Sequence, residues 1–152
     1  MPEQPGRTTG PDLSRISAQV REFHHSFGLP VRAVPTGSVG DRQAALRQSL
    51  IAEEVGELAD AVTAHDLVAI ADALADIVYV AYGTAHTYGI DLDRVLDEVH
   101  SSNMSKLGAD GRPVYREDGK VLKGPGFRQP DIVAVLADQA IGDGATTLEV
   151  RE

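Results

Sequence analysis

The sequence predicts an all-α protein, a four- to five-helix bundle with a small C-terminal β-hairpin. Three observations carry this. Four long segments repeat apolar residues at helical spacing, and residues that start or stop helices bound them. One short stretch, VYREDGKVLK (Val114–Lys123), has two strand-like runs around an Asp-Gly pair that favours a tight type I′ turn. The 152 residues, 42% hydrophobic and 24% charged, suit one domain with a real core.

In chain order, residues 1–12 are rich in Pro, Gly and Thr and read as a mobile tail, so the domain is expected over 13–139. Ser14 is placed to cap a helix to about Phe27, with Ile16, Val20, Phe23 and Phe27 on one side. Gly28-Leu29-Pro30 ends it, and a loop holding Pro35, Gly37 and Gly40 follows. A second helix is expected from Asp41 to about Ala64, a third from Leu67 to Tyr88 before Gly89, and a fourth from Leu92 to about Ser105. After the hairpin, GPGFRQP is loop, Asp131 to Asp138 is a last short helix, and 140–152 is a polar, flexible tail.

Composition removes several classes of function. The absence of cysteine rules out disulfides and thiolate–metal sites, and fits a cytoplasmic protein. The first residues lack the apolar core of a signal peptide, and the run Ile77–Ile90 is too short and interrupted for a membrane span. A net charge of −9 argues against a nucleic-acid partner.

The charge is concentrated in a telling place. SLIAEEVGELADAV (Ser49–Val62) holds Glu53, Glu54 and Glu57 with no Lys or Arg three or four residues away. Each like-charge pair at that spacing costs an exposed helix about 0.2–0.5 kcal/mol. By helical geometry the three acids flank the apolar stripe Leu50, Ile51, Val55, Leu58 and Val62 at roughly 100° from its centre. The third helix is apolar nearly all round, yet carries Asp72 and Asp76 on the side shared with Tyr79. A short connection makes the two helices antiparallel neighbours whose acids can face each other. Carboxylates converging without cysteine or histidine make a hard oxygen site, suited to Mg²⁺, with Mn²⁺ able to substitute. Between Ser101 and Arg128 the balance reverses to six basic and three acidic residues, a net +3. A basic flap beside an acidic metal site suits a triphosphate.

EExxE (Glu53, Glu54, Glu57), an acidic second helix ending LADIVYVAYG, EVHSSNMSK (Glu98–Lys106) and DGKVLKGPGF (Asp118–Phe127) together resemble the MazG-like all-α nucleoside triphosphate pyrophosphohydrolases. That superfamily includes phosphoribosyl-ATP pyrophosphohydrolase and dimeric dUTPase. The resemblance runs from about Phe23 to Val135. It implies Mg²⁺-dependent cleavage of a (d)NTP to monophosphate and pyrophosphate, with Glu53, Glu54, Glu57 and Asp76 as metal ligands and Glu54 or Glu53 as general base. Lys106, Lys120 and Lys123 would neutralise the phosphates, Asn103 would hold base or sugar, and Tyr79 would pack on the sugar. A homodimer or homotetramer is implied. The pattern departs at Ala73, where the family often has an acid; Asp72 lies one residue earlier, a rotation of about 100°. The alternative reading is a non-catalytic helical module that binds nucleotides or another protein.

Overall fold

Ser14 does start a helix: its hydroxyl accepts the Ser17 amide at 3.3 Å. The structure, a computed structural model, describes residues 13–145, so most of both expected tails lies outside the described residues. The helices are α1 (Arg15–Ser26), α2 (Asp41–Thr63), α3 (Leu67–Tyr88), α4 (Leu92–Met104) and α5 (Ile132–Ala145). The last was expected to stop at Asp138 and continues seven residues further.

Helices α2 and α3 form the central antiparallel hairpin. Its turn is closed by Asp66, whose carboxylate accepts the Val68 and Ala69 amides at 3.0 Å. Helix α1 packs on α3, and α4 packs on α5. The chain leaves α3 through Gly89, at φ 70°, where an added Cβ would stand 2.3 Å from the Val34 carbonyl oxygen. Only glycine combines that left-handed backbone with so close an approach. Asp93 joins α1, α3 and α4: it accepts the Ser14 amide at 2.9 Å, the Ser14 hydroxyl at 2.7 Å and the Tyr82 hydroxyl at 2.8 Å. From α5, Gln139 donates to the Gly89 carbonyl at 2.8 Å and accepts the Asp91 amide at 3.0 Å.

The apolar core is small: Val20, Ala61, Ala73, Tyr82 and Ala85 are its buried members. Much of α3 was expected to be apolar and buried nearly all round. Residues 82–88 are buried or half-buried, but residues 67–78 are covered on one side only, with Leu67 and Val68 77% and 80% exposed and Leu74 and Val78 about half exposed. By length and mean hydropathy alone α3 is apolar enough to cross a bilayer. Asp72 and Asp76 within it, and its packing between α1 and α2, are those of a core helix instead.

The expected β-hairpin is not formed. Among the described residues 114–123 hold no strand, only an isolated antiparallel bridge between Tyr115 and Val121 around the Asp118-Gly119 turn. Two short runs with no third strand and no apolar surface to lie on cannot sustain a ladder. Val114, Tyr115, Val121 and Leu122 are all exposed.

Candidate functional site

The face that α2 turns to α3 is set by Arg47, Leu50, Ile51, Glu54, Leu58 and Ala61, the half-buried and buried positions of the helix from Arg47 onward. Glu54 therefore stands in the middle of the helix–helix seam. The apolar stripe had been expected to centre elsewhere, but Val55 and Val62 are about half exposed on one flank, and Glu53 and Glu57 are exposed on the other.

What rotates the helix is Arg47. Its guanidinium is buried against α3, donating to the Val80 carbonyl at 2.9 Å and the Thr84 hydroxyl at 3.1 Å. The Thr84 hydroxyl in turn donates to the Val80 carbonyl at 2.8 Å. No acidic side chain pairs with Arg47 among the described residues. The space comes from Gly83, where a Cβ would lie 2.6 Å from Arg47 Nη2 and 2.7 Å from His24 Nε2. His24 is buried, with its Nδ1 donating to the Pro30 carbonyl at 2.8 Å. Its neighbour His25 is exposed. Gly83 in mid-helix was the one local signal for this polar interior, since glycine there usually marks a close approach.

On α3 the seam residues are Ala73, buried at 3% exposure, and Asp76, half-buried; Asp72 is exposed, at the edge. Glu54 has one carboxylate oxygen, Oε2, out of solvent and without a hydrogen-bond partner. Its pKa is raised, first by burial, then by the charges of Glu57, Asp76, Glu53 and Asp72 in that order. The other four sequence-predicted acids thus all bear on Glu54. They do not close into a cage: among the described residues no three His, Asp or Glu side chains come together tightly enough to hold a metal ion. Like charges held in one groove repel, so their open arrangement is what electrostatics favours for the bare carboxylates. Oxygen-only donors around an orphaned buried oxygen fit a hard divalent cation.

Among the described residues none of the remaining predicted residues is hydrogen-bonded or ion-paired to the acids. Tyr79 packs edge-on against Phe23 of α1, centroids 5.6 Å apart. Lys106 donates to the Asn103 side-chain oxygen at 2.7 Å, and Lys123 sits 4.4 Å from the Phe127 ring centroid. Lys120 is exposed. No hydrogen bond or ion pair among the described residues joins the flap, 106–127, to the five acids. A cavity of about 460 Å³ is also elsewhere: it lies at the C-terminal end of α3, lined by Arg21, Arg32, His86 and Gln139 among others, and none of the five acids lines it.

Residues 20–103 match the family described as phosphoribosyl-ATP pyrophosphohydrolase, a span that holds all five acids and ends at Asn103. The chain is 37% identical over 107 residues to uncharacterized protein L479 of Acanthamoeba polyphaga mimivirus; the match covers 68% of the chain but 40% of that relative's length. Among solved structures, a protein of Exiguobacterium sp. 255-15, provisionally assigned as an NTP pyrophosphohydrolase, is similar over 90% of the chain and 99% of its own, at 24% identity and a TM-score of 0.47. With its acids on the two helices of the matched segment, the chain belongs to the phosphoribosyl-ATP pyrophosphohydrolase family, within the MazG-like superfamily.

Proposed function

We propose that this chain is a metal-dependent nucleoside triphosphate pyrophosphohydrolase that cleaves a (d)NTP to the monophosphate and pyrophosphate. The observation that carries the reading is the partnerless buried oxygen of Glu54, with four further carboxylates acting on it. Glu53, Glu54, Glu57 and Asp76, with Asp72 at the edge, would hold Mg²⁺, and Mn²⁺ would substitute. Bound there, the ion would supply neutralisation of phosphate charge and a lowered pKa for coordinated water.

The chain's own residues would do the rest. Glu54 or Glu53 takes a proton from the attacking water as its oxygen bonds to the α-phosphorus. The bridging P–O bond to the β-phosphate breaks and pyrophosphate leaves. A carboxylate lifted above its ordinary range is the stronger base, which favours Glu54. Lys106, Lys120 and Lys123 draw charge from the phosphates. Asn103, oriented by Lys106, holds the sugar or base, and Tyr79, backed by Phe23, keeps part of its ring for the sugar. A second copy of the chain would cover the exposed apolar flank of α2 and α3, making a homodimer or homotetramer.

The test is a panel of dNTPs and NTPs with Mg²⁺, scored for monophosphate and pyrophosphate. No turnover of any member would defeat the reading. One observation favours a second reading, binding without hydrolysis: Ala73, buried in the seam, supplies no carboxylate where the family motif often has one. Single-turnover assays at saturating protein would then show bound but intact nucleotide.

A further inference from the structure

The segment between Met104 and Ile132 is 27 residues long and nearly free of regular structure. A loop of that length inside a domain is ordinarily either functional or loose. This one is pinned at two places, and Arg128 makes the more extensive of the two. Arg128 donates its backbone amide to the Ser105 hydroxyl at 2.9 Å, and its carbonyl accepts the Ser102 hydroxyl at 2.8 Å. Its guanidinium donates from Nη2 to the Ser101 hydroxyl at 2.6 Å and from Nη1 to Glu98. Glu98, its side chain 19% exposed, also accepts the Asp131 amide at 2.7 Å. Arg128, and then that amide, hold the Glu98 carboxyl below its usual range.

A second fastening lies four residues earlier. The Gly124 amide donates to the Lys106 carbonyl at 2.9 Å, in a space so tight that a Cβ would meet the Leu107 carbonyl oxygen at 2.5 Å. The two fastenings bring the ends of the flap onto the last turns of α4. Asn103 and Lys106 sit on that same stretch, and Lys123 adjoins Gly124. Lys106 is also held to Asn103 by its side chain, at 2.7 Å, but among the described residues the flap's interior has one β-bridge and no regular element that would hold Lys123 to them.

We propose that Arg128 is a positioning residue: its clamp on Glu98 and the Ser101, Ser102 and Ser105 hydroxyls holds Asn103, Lys106 and Lys123 as one rigid triphosphate-contacting unit. This rests on the proposed pyrophosphohydrolase reading. A fork to two partners needs the planar guanidinium, so lysine at 128 would retain one arm at most.

The experiment compares wild type, Arg128→Ala and Arg128→Lys by amide hydrogen exchange and by steady-state kinetics with a turned-over (d)NTP. Arg128→Ala is expected to lose exchange protection at residues 106–127 while α2 and α3 keep theirs. KM should rise about tenfold with kcat held within about twofold, since misplacing a binding group weakens substrate more than it alters the reacting atoms. Arg128→Lys should fall between. Should Arg128→Ala not fold, Glu98→Ala and Ser101→Ala each remove one arm and should show the same effects in weaker form. Unchanged protection, or lost protection with unchanged KM, overturns the proposal and leaves the activity standing. If wild type neither binds nor cleaves a triphosphate, the functional reading fails, and loss of protection would then mark the clamp as a structural fastening alone.

Discussion

Gly83→Ala should destabilise the protein although alanine is the better helix former. Propensity alone favours the alanine by about 1 kcal/mol in a helix interior. Against it, the new methyl would lie 2.6 Å from Arg47 Nη2 and 2.7 Å from His24 Nε2, far inside van der Waals contact. Neither group is free to retreat: Arg47 is tied to Val80 and Thr84, and His24 to Pro30. Overpacking of this kind costs about 1–3 kcal/mol. Displacing a charged donor from its carbonyl costs about 1.5–3 kcal/mol more. Net of propensity the loss is about 1.5–5 kcal/mol, which for a chain of this size lowers Tm by roughly 3–20 °C. Thermal unfolding followed by circular dichroism reads this directly. Arg47→Ala in the Gly83→Ala background should restore part of the loss, because the clash partner is gone. A Gly83→Ala protein melting within a degree or two of wild type, or above it, would refute the claim that Arg47 on Gly83 sets the α2–α3 register.

Three further outcomes follow from the same contacts. Burial holds the His24 and His86 pKa values below the ordinary histidine range, despite the Pro30 and Ser17 carbonyls that raise them. Their neutral forms stabilise the fold above the unfolded-state value of about 6.5, and that contribution is lost as pH falls through the lower folded values. Burial raises Asp93, but the Ser14 amide and hydroxyl and the Tyr82 hydroxyl outweigh it and leave the group depressed, so its contribution too is lost on acidification. Tm should therefore fall steadily below about pH 6.5, and a His24→Asn protein should show a shallower slope in that first window. Glu54, whose pKa is raised, has the opposite sign: its contribution is lost as pH rises through the folded value, so metal-free Glu54→Gln should melt above wild type at neutral pH. Finally, Mn²⁺ and Mg²⁺ should raise the wild-type Tm and leave that of Glu54→Gln unmoved; equal shifts in both would show that the ion binds elsewhere.

The helices were legible because their ends are chemically marked. Ser14, Asp66, Asp91 and Gly89 all cap as their residue types suggest, and the four long helices end within a residue or so of expectation. The acids were read as a group on two neighbouring helices; the charges of Glu57, Asp76, Glu53 and Asp72 do raise the Glu54 pKa, but among the described residues no three of the acids close into a metal cage. Which glutamate enters the seam was not legible. Periodicity weighs Val55 and Val62 as core, whereas α2 is turned by a buried arginine whose partners are backbone and hydroxyl oxygens 33 and 37 residues away. No local pattern reports that, beyond the glycine that makes room for it. The hairpin failed for a related reason: Asp118-Gly119 does turn the chain, but a turn signal carries no information about whether a surface exists for the strands to cover. Arg128 was counted only as one of six flap cations, when its role is to fasten the flap to α4.

The most direct measurement is pyrophosphate release from a (d)NTP panel with Mg²⁺, by wild type and Glu54→Gln in parallel, with both proteins verified as folded. Wild type should release pyrophosphate from at least one nucleotide, and Glu54→Gln should be slower by about a hundredfold or more, as expected for loss of a group acting as base or metal ligand. Pyrophosphate release by Glu54→Gln at the wild-type rate would contradict the assignment of this carboxylate, and a folded wild type that releases none would contradict the activity itself.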